Sequence, residues 1–164
     1  MLTNAGFRPK TRFIPPLVLV VIAAAAATAY WPSLHNLFLA WDDYLYVYRN
    51  SHIKSFSADN LWWMFTALHA GHWHPLTWLS HAVDHALWGL NPWGHHLTSL
   101  VLHYANSLLV ATLTGLLLVA AQRRDGGAPP PVARISPLLA GGASGVLFAV
   151  HPQQVEAVAW IAER

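Results

Sequence analysis

The sequence predicts an all-α, polytopic membrane protein, and three observations support this prediction. Of its 164 residues, 55% are hydrophobic and only 10% are charged, whereas a soluble domain carries about 25% charged residues. About three apolar stretches approach the roughly 20 residues that a membrane-crossing helix needs. Nine tryptophans favour the membrane–water interface, where the indole ring meets apolar groups and its N–H still finds a partner. The composition therefore excludes an ordinary soluble domain.

Charge and cysteine content exclude further classes of protein. A formal net charge of +2 is too small for a nucleic-acid-binding surface, so we expect no nucleic-acid partner. The chain is also too apolar and too rich in aromatic residues to be disordered. It contains no cysteine, which excludes disulfides, iron–sulfur clusters and thiolate zinc sites.

The predicted transmembrane helices are the three apolar stretches. They occupy residues 13–31, 97–121 and 135–150. The last is predicted to end before Pro152, because a proline disfavours helical geometry in the residue that precedes it. Within it, Gly141 and Gly145 have the small-xxx-small spacing of a helix-packing motif. A basic start, an apolar run and Ala27-Thr28-Ala29 also resemble a cleavable signal peptide, so removal of the first helix is an alternative.

Basic residues predict the orientation of these helices, because cytoplasmic loops are enriched in Lys and Arg. Six of the nine basic residues precede the first helix or follow the second. We therefore expect residues 1–12 and the Gly/Pro-rich loop 122–134 to be cytoplasmic. The loop 32–96 and residues 151–164 then share the opposite face. Alanine runs and the excess of Arg over Lys indicate a bacterium, which makes this face the periplasmic side of the inner membrane.

The long outer loop, residues 32–96, is predicted to lie on the membrane rather than to project from it. Helical spacing predicts one helix over residues 57–70, capped by Ser57. A second helix is predicted over residues 75–90, with a proline in the first turn. Its apolar stripe is Leu76, Leu79, Val83, Leu87 and Leu90. Its opposite face carries His74, Trp78, His81, His85 and Trp88. Such amphipathic helices are typical of the interface.

Two adjacent carboxylates, Asp42 and Asp43, follow the first predicted transmembrane helix. Paired carboxylates can act as a general base or bind a cation. The aromatic residues around them favour partial desolvation, which makes a carboxylate a stronger base. A solvated polar patch at a helix end is the alternative.

The eleven histidines raise the question of a metal site. His72 with His74, or His81 and His85 near Asp84, have spacings that could place two imidazoles on one zinc ion. Hydrogen bonds to loop carbonyls or to headgroup phosphates are the alternative. The sequence therefore assigns no metal ligand and leaves a divalent metal open. Two polar residues inside the second transmembrane helix are expected to form interhelical hydrogen bonds. They are His103 and Asn106.

Three blocks of sequence resemble a known family. They are WPSLHNLFLAWDDYLYVYRNSHI, HAGHWHPLTWLSHAVDHALWGLNPWGHHLTSLVLHYANSLL and LFAVHPQQVEAVAWIAER. Over about residues 30–164 the chain is similar to the N-terminal membrane part of the transmembrane and tetratricopeptide-repeat-containing O-mannosyltransferase-like proteins. The resemblance implies a partial GT-C fold and a glycosyltransferase that uses a polyprenyl-phosphate sugar at the non-cytoplasmic face.

The resemblance also implies roles for particular residues. The acidic motif of GT-C enzymes lies in the first outer loop, which assigns the base to Asp42 and makes Asp43 a residue that orients it or binds the acceptor. Further residues would contact the carrier phosphate or the sugar. They are His74, His81, His95, His96 and Glu156. Mannose would pass with inversion to a Ser/Thr hydroxyl of a protein acceptor, with membrane lipids as the other partners and no certain cofactor.

Full-length relatives carry more transmembrane helices and then tetratricopeptide repeats, and neither is visible in this sequence. We therefore expect an N-terminal fragment that is inactive alone, with residues 151–164 as the start of a second outer segment. Two other functions stay open. One is a non-catalytic membrane anchor for a repeat domain, and the other is a His-based metal transporter or metalloenzyme.

Overall fold

The computed structural model of the protein describes residues 15–124 and 136–164. These ranges form six α-helices with short 3₁₀ and π turns and no strand, so the predicted all-α fold is confirmed. The helices are α1 (Pro16–Tyr30), α2 (Ala58–Thr66), α3 (Pro75–Trp88), α4 (Pro92–Arg124), α5 (Pro137–Val150) and α6 (Val155–Ala159). The predicted cytoplasmic N-terminus and almost all of the predicted cytoplasmic loop lie outside the described residues.

Among the described residues, two helices are long and apolar enough to cross a membrane. One is α1 with the 3₁₀ turn that continues it to His35, and the other is α4 as far as Gln122. The third predicted transmembrane helix corresponds to α5, which is apolar but has 14 residues. Its crossing of the membrane therefore stays a prediction. α4 begins five residues before the predicted start, because Pro92 suits a first turn and the Asn91 side chain accepts a hydrogen bond from the Trp93 N–H at 3.2 Å.

The helices α1, α4 and α5 pack together, and the contact between α4 and α5 is the most extensive of these. The predicted packing motif lies at this contact: a Cβ atom built on Gly141 would lie 2.5 Å from the Ala111 carbonyl oxygen. The predicted interhelical hydrogen bond of His103 is also present, since its Nε2 lies 3.0 Å from the Ala149 carbonyl oxygen. Asn106, the other polar residue of this helix, is exposed.

At Gly141, the absence of a side chain allows the backbones of α4 and α5 to meet where any larger residue would separate them.

A second hydrophobic core, which we call the outer core, lies at the N-terminal end of α4. Its buried members are Tyr46, Val47, Ile53, Met64, Trp78, Ala82, Ile161 and Ala162. Ser57 caps α2 as predicted, accepting a hydrogen bond from the Asn60 N–H at 3.2 Å. α2 ends at Thr66, four residues earlier than predicted, because Ala67 already has extended dihedral angles. The chain then turns through Ala70 and the following glycine, both with positive φ. α3 ends before Gly89, whose φ of +59° lies in the left-handed region that glycine tolerates.

The sequence pattern of α3 did not indicate which of its two faces is buried. The middle of the Trp/His face packs into the outer core, where Trp78 and His81 are buried together with the neighbouring Asp84. The two ends of this face, His74 and Trp88, are exposed. Most of the apolar stripe points outward, and Leu76 and Leu87 are 73% and 67% exposed. An outward apolar stripe is what lipid contact requires, and the predicted interfacial position of the helix stays a prediction.

The segment that follows α5 forms a 3₁₀ turn from Pro152 and then α6, and Trp160 has extended dihedral angles that end the helix. Extended geometry at this position turns the chain, so that Ile161 and Ala162 enter the outer core.

Candidate functional site

A group of polar side chains is enclosed in the outer core. We call it the outer polar cluster, and its members are Asp43, His81, Asp84, His95 and Arg164. They come from the outer loop, from α3, from the first turn of α4 and from the segment that follows α6. Buried charges persist only where partners compensate them, so each contact in this cluster matters for the fold.

Asp84 and Arg164 form the central ion pair of the cluster. The carboxylate Oδ2 of Asp84 lies 2.5 Å from Nη1 of Arg164, and the two side chains are 1% and 3% exposed. The second carboxylate oxygen, Oδ1, accepts a hydrogen bond from the Thr98 hydroxyl at 2.6 Å. Both oxygens of Asp84 are therefore engaged, as a buried carboxylate requires.

His81 receives the other arm of the guanidinium group. Its Nδ1 lies 2.7 Å from Nη2 of Arg164, and because a guanidinium group can only donate, this nitrogen accepts and carries no proton. Complete burial lowers the pKa of His81 well below its ordinary value, and the charge of Arg164 lowers this pKa further. His81 is therefore neutral in the folded protein.

Asp43 connects two distant parts of the chain. Its Oδ2 accepts a hydrogen bond from the Leu39 N–H at 2.9 Å, and its Oδ1 accepts one from the Ala162 N–H at 2.8 Å. Burial raises the pKa of Asp43, and the two backbone hydrogen bonds oppose that shift. With both oxygens held by the backbone, Asp43 orients the chain around its neighbour Asp42, which is half-buried.

The structure brings some of the predicted site residues together and leaves others apart. Asp43, His81 and His95 belong to the outer polar cluster, and His96 is buried on the next position of α4. His95 directs Nε2 to the Gly89 carbonyl oxygen at 3.0 Å. The remaining three predicted residues lie outside the cluster: Asp42 is half-buried, and His74 and Glu156 are exposed.

Sequence reasoning missed the role of Arg164 and the partnership of Asp84 with Thr98. From the charge pattern, Arg164 is only one of the three basic residues expected on the outer face. Asp84 is recognisable in part, because it follows His81 by three positions and so lies on the same face of α3. Arg164 gives no such local signal, since its partners are 69 to 83 positions away along the chain.

The cluster has the donor set of a metal site but already contains a cation. His81, Asp84 and His95 each offer one ligand atom, all within 4.8 Å of one another, and two imidazoles with a carboxylate suit zinc. The guanidinium group of Arg164, however, contacts both Asp84 and His81. Within residues 15–124 and 136–164, neither His72, His74 nor His85 belongs to a three-ligand group.

Beside the cluster, an open groove of about 610 Å³ separates the outer loop from the segment around α6. Asn36 and Leu39 line one wall, and Glu156 and Trp160 line the other. The groove therefore combines an indole ring, an amide and a carboxylate, groups that can contact a polar ligand such as a sugar or a peptide. Leu39 also donates its backbone N–H to Asp43, which places the groove next to the acidic pair.

No protein-family model and no solved structure matches the chain. Among curated proteins, it is 34% identical over 113 residues to Protein O-mannosyl-transferase TMTC2 of Mus musculus and 33% identical over 113 residues to the Homo sapiens protein of that name. Each match covers 64% of this chain and 11% of the relative.

Protein O-mannosyl-transferase Tmtc3 of Drosophila melanogaster is 35% identical over 95 residues, which is 56% of this chain and 10% of the relative. The chain thus spans about a tenth of the length of the curated relatives it matches. These similarities confirm the resemblance seen in the sequence blocks. Across the matched part, the chain is similar to the TMTC group of protein O-mannosyl-transferases.

Proposed function

We propose that the chain is the N-terminal part of a membrane glycosyltransferase, which transfers mannose from a polyprenyl-phosphate carrier to a Ser/Thr hydroxyl on the non-cytoplasmic face. The observation that carries the proposal is its similarity, at 33% to 35% identity, to proteins named O-mannosyl-transferases. Two helices long enough to cross a membrane support the membrane setting.

In the proposed reaction Asp42 acts as the base. It takes the proton of the acceptor hydroxyl as that oxygen attacks the anomeric carbon, and the bond from this carbon to the carrier phosphate breaks with inversion. Polyprenyl phosphate leaves without a general acid, because a phosphate oxygen is a weak base. One carboxylate on the acceptor side is therefore enough.

The surroundings of the acidic pair support a division of roles. Both carboxylate oxygens of Asp43 are held by backbone N–H groups, so Asp43 suits an orienting role. Asp42 is half-buried, which suits a group that must meet a substrate. Among the other predicted contacts, exposed His74 and Glu156 can reach a substrate directly, while buried His81, His95 and His96 suit support of the site.

The experiment that tests the proposal replaces Asp42 by Asn in the membrane protein that carries this segment. Transfer of sugar from a lipid-linked donor to an acceptor peptide should fall by about a hundredfold or more, since a general base contributes on the order of 10²–10⁴ to the rate. Asp59→Asn is the matched control, because Asp59 is an exposed carboxylate on α2. Both variants should insert into the membrane to the same extent, which is measured by their resistance to alkaline extraction.

A membrane anchor without catalysis is the competing function, and one observation favours it. The carboxylates Asp43 and Asp84 and the guanidinium group of Arg164 are engaged inside the chain itself, as a purely structural element would show. If Asp42→Asn transfers sugar at the wild-type rate, the anchor function replaces the glycosyltransferase.

A further inference from the structure

We propose that Asp43 and Asp84 are positioning residues that hold residues 151–164, the start of the second outer segment, against the first outer loop. Through this contact they would fix the width of the groove beside Asp42. The role of the groove in transfer rests on the proposed function, whereas the contact between the two segments can be tested without any activity.

Asp43 provides the first attachment. One carboxylate joins the two walls of the groove, because Oδ2 accepts the Leu39 N–H at 2.9 Å and Oδ1 accepts the Ala162 N–H at 2.8 Å. Leu39 itself lines the groove, and Ala162 lies two positions after Trp160 on the opposite wall. Hydrogen bonds from backbone N–H groups to an ionised carboxylate are stronger than those between neutral groups.

Asp84 provides the second attachment through Arg164. The guanidinium group contacts Asp84 by one arm and His81 by the other. The backbone of Arg164 is held as well, since its carbonyl oxygen accepts a hydrogen bond from the Thr77 hydroxyl at 3.4 Å. Three residues of α3 thus hold Arg164, and the ion pair is shielded from water.

Apolar contacts alone would leave this arrangement less specific. Ile161 is fully buried in the outer core beside Tyr46 and Trp78, while Glu156 on the same segment stays exposed. Burial of Ile161 favours contact with the outer loop in many orientations, because the hydrophobic effect is non-directional. The two carboxylates select one orientation, in which Glu156 and Trp160 face Asn36 and Leu39 across the groove.

The test uses the absence of cysteine from the chain. A single Ile161→Cys substitution reports whether the segment is docked, through its rate of labelling by a maleimide in detergent solution. Arg164→Gln or Asp84→Asn should raise that rate by about tenfold or more, because each leaves its buried partner uncompensated. Asp84→Asn combined with Arg164→Gln should restore most of the protection, since the charges are removed together.

Two further cysteines distinguish local undocking from general unfolding. Trp62→Cys, at a position that is 74% exposed on α2, should be labelled at one rate in every background. Ile22→Cys, fully buried between the membrane helices, should stay protected throughout. Unchanged labelling of Ile161→Cys, or exposure of Ile22→Cys together with Ile161→Cys, would overturn the proposal.

A kinetic measurement then connects the contact to the proposed function. Asp84→Asn should raise KM for the acceptor more than it lowers kcat. Asp42→Asn should mainly lower kcat. An equal loss in kcat for both variants would contradict a positioning role for Asp84. If no variant or wild-type protein transfers sugar, the proposed function fails, while the labelling result still decides whether the two carboxylates dock the segment.

Discussion

At the scale of single residues, His81 is the group whose protonation opposes folding most directly. It is fully buried, its Nδ1 accepts a hydrogen bond from Arg164, and Asp84 and His95 lie beside it. A proton on Nδ1 would place a second positive charge against the guanidinium group. Burial and the charge of Arg164 accordingly lower the pKa of His81 well below its usual value.

The predicted consequence is a loss of stability in mild acid. The folded-state pKa of His81 is depressed, so below about pH 6.5 the unfolded chain binds a proton that the folded chain does not. The free energy of unfolding should therefore be highest above this pH and fall below it, by at most about 1.4 kcal/mol per pH unit from this one group. Thermal unfolding of the protein in detergent between pH 5 and pH 8 measures how steeply the free energy of unfolding changes with pH.

The matched variants are His81→Gln and His74→Gln. Glutamine at position 81 can still accept a hydrogen bond from Arg164 but does not titrate, so its slope below pH 6.5 should be shallower than that of the wild type. His74 is exposed, and His74→Gln should keep the wild-type slope. Equal slopes in all three proteins would show that another group causes the acid sensitivity.

The role of a single residue could be predicted only where its partners lie close to it in the sequence. Ser57 caps α2 as expected, because a cap acts within three positions of its own backbone. The partner of Asp84 could not be predicted, since Arg164 lies 80 positions away and only the tertiary fold brings them together. The roles of Asp42 and Glu156 stay predictions, because their assignment rests on the resemblance.

At the scale of elements, the contact between α4 and α5 depends on which glycine faces α4. Gly141 faces Ala111, and a Cβ atom there would lie 2.5 Å from a backbone carbonyl oxygen. At Gly142 the nearest atom would be a side-chain carbon of Val18 at 3.5 Å, an ordinary contact. Two adjacent glycines therefore make a matched pair for the same substitution.

Gly141→Ala is predicted to destabilise the protein by about 1–3 kcal/mol, because the α4 backbone must move to admit the methyl group. Gly142→Ala should be neutral or stabilising by up to about 1 kcal/mol, since alanine favours the helix over glycine. Unfolding in mixed detergent micelles measures the stability of each variant relative to the wild type. Equal stability of both variants would mean that α5 does not pack on α4 through Gly141.

The helices also show what a hydrophobic pattern can and cannot predict. The spacing of α3 correctly separated an apolar stripe from a Trp/His face. It could not decide which face is buried, because the rule that apolar residues lie inside assumes that water surrounds the protein. Trp78 and His81 are buried while Leu76 and Leu87 are exposed, an arrangement that suits a helix between the protein and lipid.

At the scale of the whole molecule, composition and length predicted the helical class and the two helices that are long and apolar enough to cross a membrane. They did not predict the path of the chain through the membrane. A helix of 33 residues such as α4 is about 50 Å long and exceeds the bilayer core of about 30 Å. A helix of 14 residues such as α5 is only about 21 Å long. Its crossing therefore needs a thinned bilayer or the residues that flank it.

Single cysteines test whether α5 crosses the membrane. If α4 and α5 both cross, as the basic residues predict, Asp59→Cys and Glu163→Cys share the outer face and Ser136→Cys lies inside. These three positions are exposed. In right-side-out vesicles, a membrane-impermeant maleimide should label the first two and spare the third, while a permeant maleimide labels all three.

Labelling of all three cysteines from outside would show that α4 and α5 enter and leave the membrane on the same side, without crossing it. The outer segment and the outer loop would then still meet at Asp43 and Asp84, because their contacts do not depend on the path of α5. Labelling of Ser136→Cys alone would instead reverse the orientation and place Asp42 in the cytoplasm. A carrier-linked sugar at the non-cytoplasmic face could not reach it there, so this one experiment also decides whether the proposed base lies on the side where its substrate is expected.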